Sequence, residues 1–373
     1  MRCIDETAVA DIAVGAAILG TGGGGDPQLG MLMARSAIRE HGPVPLLDPA
    51  EVDPEGFVAP IAMMGAPAVA KEKLPSLHPL PAIVEGFAAA HGRPVSHVMP
   101  AEIGGIAALI PIAAAAVLRL PMVDADMMGR AFPQLPMLLS SIAGVPTSPL
   151  VMGDEWGSTV VFRGRDDQHT ERLARTMCVE MGASALMALS GVGGSRLRSA
   201  IVEHSVSLAE RLGQAVRAAR REHADPIDAA LALIDGTRLF DGKVVDVETR
   251  TTGGFTHLTA TMRGLGADAD QECVLRSQNE HLVALMRDTT TAAPPRLAAV
   301  TPDLIMVFDT RSGEPVTTEQ LRFGARVTVA AAPCDPRYRS ADALAVVGPD
   351  AFGYDFGYVP VEDLTGTTVG VRS

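Results

Sequence analysis

Residues 94–118 read PVSHVMPAEIGGIAALIPIAAAAVL. The short apolar run Pro94–Met99 suits a buried strand, and Ile106–Leu118 is uncharged and long enough for a helix. Between them lies a Gly-containing loop with one acid, Glu102. Strand, loop and helix make one βα step, and the step recurs. Val58–Met64 reads as a strand, Leu80–Ala90 as a helix, Met122 and Val123 as the end of a strand, and Pro133–Ile142 as a helix. Upstream, Thr7–Leu19 and Pro27–Glu40 read as helices. The second is capped by Asp26 and has Pro27 at its first position. Strands alternating with helices imply βαβ crossovers, so residues 1–165 are expected to form an α/β domain with a mostly parallel sheet.

The texture changes after that point. Asp167–Met181, Arg198–His223 and Pro226–Ile234 read as helices. Short β-prone runs follow at Lys243–Thr249, Phe255–Met262, Glu272–Ser277, Leu304–Phe308, Arg326–Ala331 and Leu344–Val347. Residues 166–373 are therefore expected to be a helical then β-rich domain, a barrel or sandwich with flanking helices. A length of 373 residues suits two domains.

Composition removes several function classes. The formal net charge is −13, which denies a nucleic-acid binder its basic footprint. The four cysteines are dispersed with no C-x-x-C pair, against both a zinc ribbon and a disulfide scaffold. The first residues carry acids where a signal peptide would be basic. The uncharged stretches Ile103–Leu118 and Ala131–Gly153 are respectively too short and too broken by proline to span a membrane. A cytoplasmic protein without membrane or nucleic-acid partners is expected. Lysine is scarce: Lys71, Lys73 and Lys243 stand against 28 arginines. Genome bias explains the scarcity; where the survivors sit decides whether a compact ammonium is required there.

The segments able to carry chemistry are few. Leu19–Pro27, LGTGGGGDP, holds Gly20, Gly22 and Gly25 in the spacing G-x-G-x-x-G, and Asp48 follows at about the distance of a ribose-binding acid. A helix-like segment before it argues against a dinucleotide loop. The alternatives are a loop whose Gly22, Gly23, Gly24 and Gly25 amides, with Asp26 opening a helix, face a polar or anionic substrate, or a plain connector. Three further segments follow predicted strands and carry Lys71, Glu72 and Lys73, then Glu102, then Asp124, Asp126 and Arg130. Strand ends of a parallel sheet gather ligand-binding groups on one edge. There Glu102, Asp124 and Asp126 are candidates for a general base or for a divalent metal, with the lysines and Arg130 balancing negative charge. Asp124 and Asp126, two apart in extended chain, can face one ion, and helix capping competes with that reading. In the second half, Asn279 and Glu280 are the best candidates for substrate contact, next to an apolar strand.

Nine blocks, in order, resemble one family: LGTGGGGDP at 19–27, GAPAVAKEK at 65–73, EIGG at 102–105, DADMMGRAFP at 124–133, GKVVDV at 242–247, GGF at 253–255, QNE at 278–280, PDLI at 302–305 and GPDAFGYD at 348–355. The chain resembles the DUF917 family, which includes the S-methyl thiohydantoin desulfurases. The resemblance implies an α/β half and a β-rich half. It implies a hydrolase of small five-membered cyclic imide-like rings, releasing methanethiol from an S-methyl thiohydantoin to leave a hydantoin. It also implies hydantoinase- or oxoprolinase-type partner proteins; a non-catalytic or nucleotide-dependent subunit of such an assembly is the alternative. A homo-oligomer is the default assembly. The chain departs from the family pattern at Ala107, where Asn is usual, at Met127, where Gly is usual, and at His204-Ser205, where Gly-Thr is usual.

Overall fold

The computed structural model describes residues 2–65, 73 and 75–364. Lys71 and Glu72 lie outside the described residues. The chain divides into two compact units: residues 1–16 with 24–211, and residues 17–23 with 212–373. In chain order the elements as far as residue 222 are β1 (Arg2–Ile4), α1 (Glu6–Leu19), α2 (Pro27–His41), β2 (Val44–Leu47), β3 (Phe57–Gly65), α3 (Leu80–His91), β4 (His97–Pro100), α4 (Gly105–Leu118), β5 (Met122–Val123), β6 (Ala125–Asp126), α5 (Leu139–Ile142), β7 (Leu150–Gly153), β8 (Thr159–Phe162), α6 (Asp167–Glu180), β9 (Ser184–Ala188), β10 (Val192–Gly193), α7 (Leu197–Ala200), β11 (Val202–Glu203) and α8 (Ser205–Glu222).

The sheet of the first unit runs β1-β2-β5-β4-β3-β9-β7-β8, with β10 also on β3. Parallel pairing joins β2 to β5, β5 to β4 and β4 to β3. Every other pair is antiparallel, so the expected parallel arrangement holds at the centre and the sheet as a whole is mixed. Residues 167–211 belong to this unit because β9 pairs with β3 from Ile61 to Gly65. Helix α4 is buried over its first twelve residues, so it is apolar on every face rather than amphipathic. It packs against α2 at Gly30, where a Cβ would stand 2.9 Å from Leu109 Cβ. Two expected helices are corrected. Residues 133–142 form only a short 3₁₀ turn and α5, and the helix expected from Arg198 to His223 is cut by β11.

In the second unit follow α9 (Pro226–Leu231), β12 (Thr237–Thr252), β13 (Phe255–Gly264), β14 (Gln271–Gln278), β15 (Glu280–Asp288), β16 (Arg296–Val300), β17 (Leu304–Asp309), β18 (Arg326–Ala332) and α10 (Ala341–Val347). The strands form one antiparallel sheet, β16-β15-β14-β13-β12-β18-β17, curled into a half-barrel. Alternate residues of β13 and β14, Leu258, Ala260, Met262, Cys273 and Leu275, fill its inner core. Strand β15 is buried on both faces. Ala284 and Met286 join the inner core, while Leu282, Val283 and Leu285 pack outside it against Phe356 and Leu364. Residues 344–347, expected as a strand, lie in α10, which Ser340 caps by accepting the Ala343 N–H. Among the described residues no helix is long and apolar enough to cross a membrane.

Candidate functional site

The carboxyl ends of the parallel strands carry acids on neighbouring positions. β2 ends at Leu47 and Asp48 follows; β5 ends at Val123 and Asp124 follows; β4 ends at Pro100, two residues before Glu102. Leu47 pairs with Val123, and the Asp124 amide donates to Leu47 O at 2.8 Å, so two of the acids stand side by side. The buried Asp124 carboxylate accepts the Ser207 N–H at 2.8 Å and the Ser207 hydroxyl. Ser207 Oγ in turn accepts from Arg2 Nη2 at 2.8 Å. Asp126 is fully buried and its Oδ2 accepts the amides of Met128 and Gly129, both at 2.8 Å. Asp126 therefore caps a turn, closer to the capping reading than to an ion ligand. Among the described residues no three His, Cys, Asp or Glu side chains come together to hold a metal ion. Both oxygens of Asp124 accept from Ser207 and Oδ2 of Asp126 accepts two backbone amides, so two of the three metal candidates, Glu102, Asp124 and Asp126, have local structural partners.

Arg130 is 1% exposed; its Nε donates to Ala131 O and its guanidinium lies 4.4 Å from the Phe132 ring centroid. It is a packed core cation rather than a loop charge. Glu102 is half-buried and leads directly into α4, whose first turn has Gly104 as its cap and no side-chain capping bond. Lys73 is placed elsewhere. Its Nζ donates to the carbonyls of Met181 and Ser184 and pairs with Glu155 at 2.8 Å. Three acceptors in three directions match an ammonium and not a planar fork. A Cβ on Gly182 would lie only 2.9 Å from Nζ, so a glycine there makes room for the ammonium. Lys73→Arg is expected to lower stability by about 1–2 kcal/mol, read as a fall in the denaturant midpoint; an unchanged midpoint returns this lysine to genome bias. Lys243 is exposed and opposes Arg263 and Arg326 across the sheet, where nothing requires an ammonium.

The glycine run divides between the units. Gly24 and Gly25 pack in the first, where a Cβ on Gly24 would meet the Gly104 carbonyl carbon at 2.3 Å and one on Gly25 would meet Ile106 at 2.6 Å. Asp26 caps α2 by accepting from Gln28 N at 2.9 Å and Leu29 N at 3.4 Å. In the second unit, Cβ atoms on Gly22 and Gly23 would fall 2.4 Å from His281 Nε2 and 2.2 Å from Glu280 Oε1. Two separate expectations, the loop and Glu280, are thus brought together, and His281 joins them. The expected exposed amide cradle is corrected for Gly22 and Gly23: both are buried, and the loop offers carbonyls instead. His281 N donates to Thr21 O, and both the amide and the hydroxyl of Thr318 donate to Gly22 O. Asn279 forms the corner between β14 and β15 at φ +58°. Its Oδ1 accepts the Thr256 N–H at 2.9 Å, so its side chain locks a turn. Thr318 and Ser277, whose hydroxyl lies 2.8 Å from His281 Nδ1, carried no local sequence signal. The run follows helix α1 rather than a strand, which withdraws the dinucleotide reading.

Three thiols are buried. Burial pushes Cys178 up to about 11, and Cys273 and Cys334 up to about 12. The folded chain keeps these protons while the unfolded chain releases them near pH 9. Their stabilising contribution is therefore full below pH 9 and is lost as pH rises towards 11–12, at about 1.4 kcal/mol per pH unit for each thiol. Denaturant midpoints should fall steadily above pH 9, and less steeply in Cys178→Ala.

Family models decide the kinship. Residues 7–164 match the S-Me-THD-like N-terminal domain and residues 165–361 match the S-Me-THD-like C-terminal domain. The chain belongs to the S-Me-THD-like family. No curated protein matches it. A crystal structure of a protein from Chromobacterium violaceum superposes with a TM-score of 0.77 at 24% identity, covering 97% of this chain and 100% of its own. At that identity the likeness concerns the fold. Among the described residues, the strand-end acids of the first unit and the Glu280–His281 pair against Gly22 and Gly23 in the second each group polar side chains that the sequence singled out.

Proposed function

We propose that this chain is a hydrolase of a small five-membered cyclic imide-like ring, of the hydantoin or S-methyl thiohydantoin type. Membership of the S-Me-THD-like family supports the ring class. The observation that carries the chemistry is the half-buried Glu102, at the carboxyl end of a central parallel strand and at the start of α4. Water attacks the ring carbon that bears the methylthio group. A C–O bond forms, the C–S bond breaks, methanethiol leaves with one of water's two protons, the ring nitrogen gains the other, and the ring carbon becomes a carbonyl. Water must lose a proton as it attacks, and Glu102 takes it. Negative charge grows on the ring nitrogen and on sulfur, and the positive end of α4, which has no side-chain cap and whose Ala107 N–H is already donated to Gly24 O at 3.2 Å, contributes to stabilising it. Asp124 and Asp126, committed to Ser207 and to the 128–129 turn, hold the edge in place.

The test is incubation of the purified protein with an S-methyl thiohydantoin, with methanethiol followed by a thiol reagent and the ring product by mass spectrometry. Stoichiometric methanethiol and hydantoin are expected. Release no faster than in buffer alone would sink the reading.

A further inference from the structure

The mixed sheet of the first unit ends at β8, Thr159–Phe162, and among the described residues no strand lies beyond it. The ladder to β7 fixes which groups are left over. Val151 faces Val161 and Gly153 faces Thr159, while the Asp154 amide donates to Ser158 O at 3.1 Å. Bonded and non-bonded pairs alternate along an antiparallel ladder, so Val160 and Phe162 bond to β7, and Thr159 and Val161 turn their N–H and C=O outward. Side chains are exposed here as well: Val161 is 47% exposed, and Trp156, in the turn before β8, is 84% exposed. Edge strands are ordinarily guarded by charge, lysine or proline, and Thr-Val-Val-Phe has none of these. The opposite edge, β1, is guarded: its Arg2 bonds Ser207 and Glu210.

Charge says what covers it. The turn before the strand carries Asp154 and Glu155, and the segment after it carries Arg163 and Arg165. Glu155 holds Lys73, Arg163 gives one N–H to Ala90 O, and Arg165 has an exposed pair with its neighbour Asp166. Asp166 and Asp167 also bond the His169 amide and Thr147. We infer that this chain forms a two-fold dimer by pairing β8 with β8 of a second copy, which makes one continuous sheet. With the axis through Val160 the two strands run antiparallel. Thr159 of each copy exchanges N–H···O bonds with Val161 of the other. Each acidic turn then lies beside the other copy's Arg163 and Arg165, and Trp156 comes within reach of a guanidinium. A parallel pairing would set acid beside acid and arginine beside arginine. Four residues make a short seam, so a dissociation constant on the order of 1–100 µM is expected.

Sedimentation of the full chain from about 1 to about 500 µM, with Trp156 fluorescence read on the same samples, tests this. The mass should rise from one chain to two across that range. Emission should move to shorter wavelength in step, because Trp156, the one tryptophan of the chain, leaves water at the seam. Val161→Pro removes the outward N–H and no bond to β7, and an edge strand tolerates proline at such a position. It should weaken dimerisation by at least about tenfold and leave the melting temperature of dilute protein within a few degrees of wild type. Val161→Lys keeps the backbone and guards the edge with charge. It should weaken the dimer likewise, and it decides the matter if the proline variant does not fold. A wild type still monomeric at about 500 µM overturns the inference and leaves the edge to a strand of another protein. A dimer that both variants retain, or one whose formation leaves Trp156 emission unchanged, overturns it by placing the contact on another face.

Discussion

Asp303→Ala should lower the stability of the second unit by about 3–5 kcal/mol. Asp303 is fully buried, and four donors converge on it. Oδ1 accepts from Cys334 N at 3.0 Å, Tyr358 Oη at 2.9 Å and Arg339 Nη2 at 3.4 Å, and Oδ2 accepts from Val361 N at 2.7 Å. Two donors are buried backbone amides that find no water when the carboxylate is removed, and each orphaned amide costs about 1–3 kcal/mol. The loss extends beyond the bonds. Asp303 pins the segment through Val361 that brings Phe356 and Leu364 onto the outer face of β15. A fall of roughly 10 °C in melting temperature is expected, with tryptic cleavage after Arg339 as the local sign. A melting temperature within 2–3 °C of wild type, roughly 1 kcal/mol or less, would show that the segment is held by its apolar contacts alone.

Asp303 also illustrates what the sequence made legible. The block at 302–305 stood out, yet only the fold shows that its acid is a hub and not a ligand. The α/β half was readable because its strands and helices have different lengths and its loops carry Gly and Pro. Strands β15 and β16 were not, because burial on both faces removes the alternation that marks a strand. Leu344–Val347 is four apolar residues, which suit strand or helix equally; the Ser340 cap decides it. The break at His204 escaped because pairing of β11 with β6 imposes a conformation that helix periodicity cannot reveal. The glycine run was legible as unusual, but its close packing was not. Gly22 and Gly23 serve close approach to His281 and Glu280, residues more than 250 positions away in the chain. Glu102 and Asp124 were legible as strand-end acids. What holds Asp124 was not, because its partner Ser207 is distant in sequence.

Glu102→Gln is the second large effect expected. The amide keeps the volume and hydrogen-bonding reach of the carboxylate and removes its capacity to take a proton. General-base catalysis contributes about 10²–10⁴-fold, so kcat/KM for thiohydantoin hydrolysis should fall by about that factor, carried by kcat, with the melting temperature within a degree or two of wild type. Asp126→Asn should behave in the opposite way: its Oδ2 holds the Met128 and Gly129 amides, so stability suffers first.

The most direct measurement is the steady-state rate of methanethiol release by wild type and Glu102→Gln, side by side at neutral pH, with both proteins shown folded by their melting curves. A wild type that releases methanethiol and a variant at least about 100-fold slower is the result predicted. Equal rates in the two proteins would contradict the account.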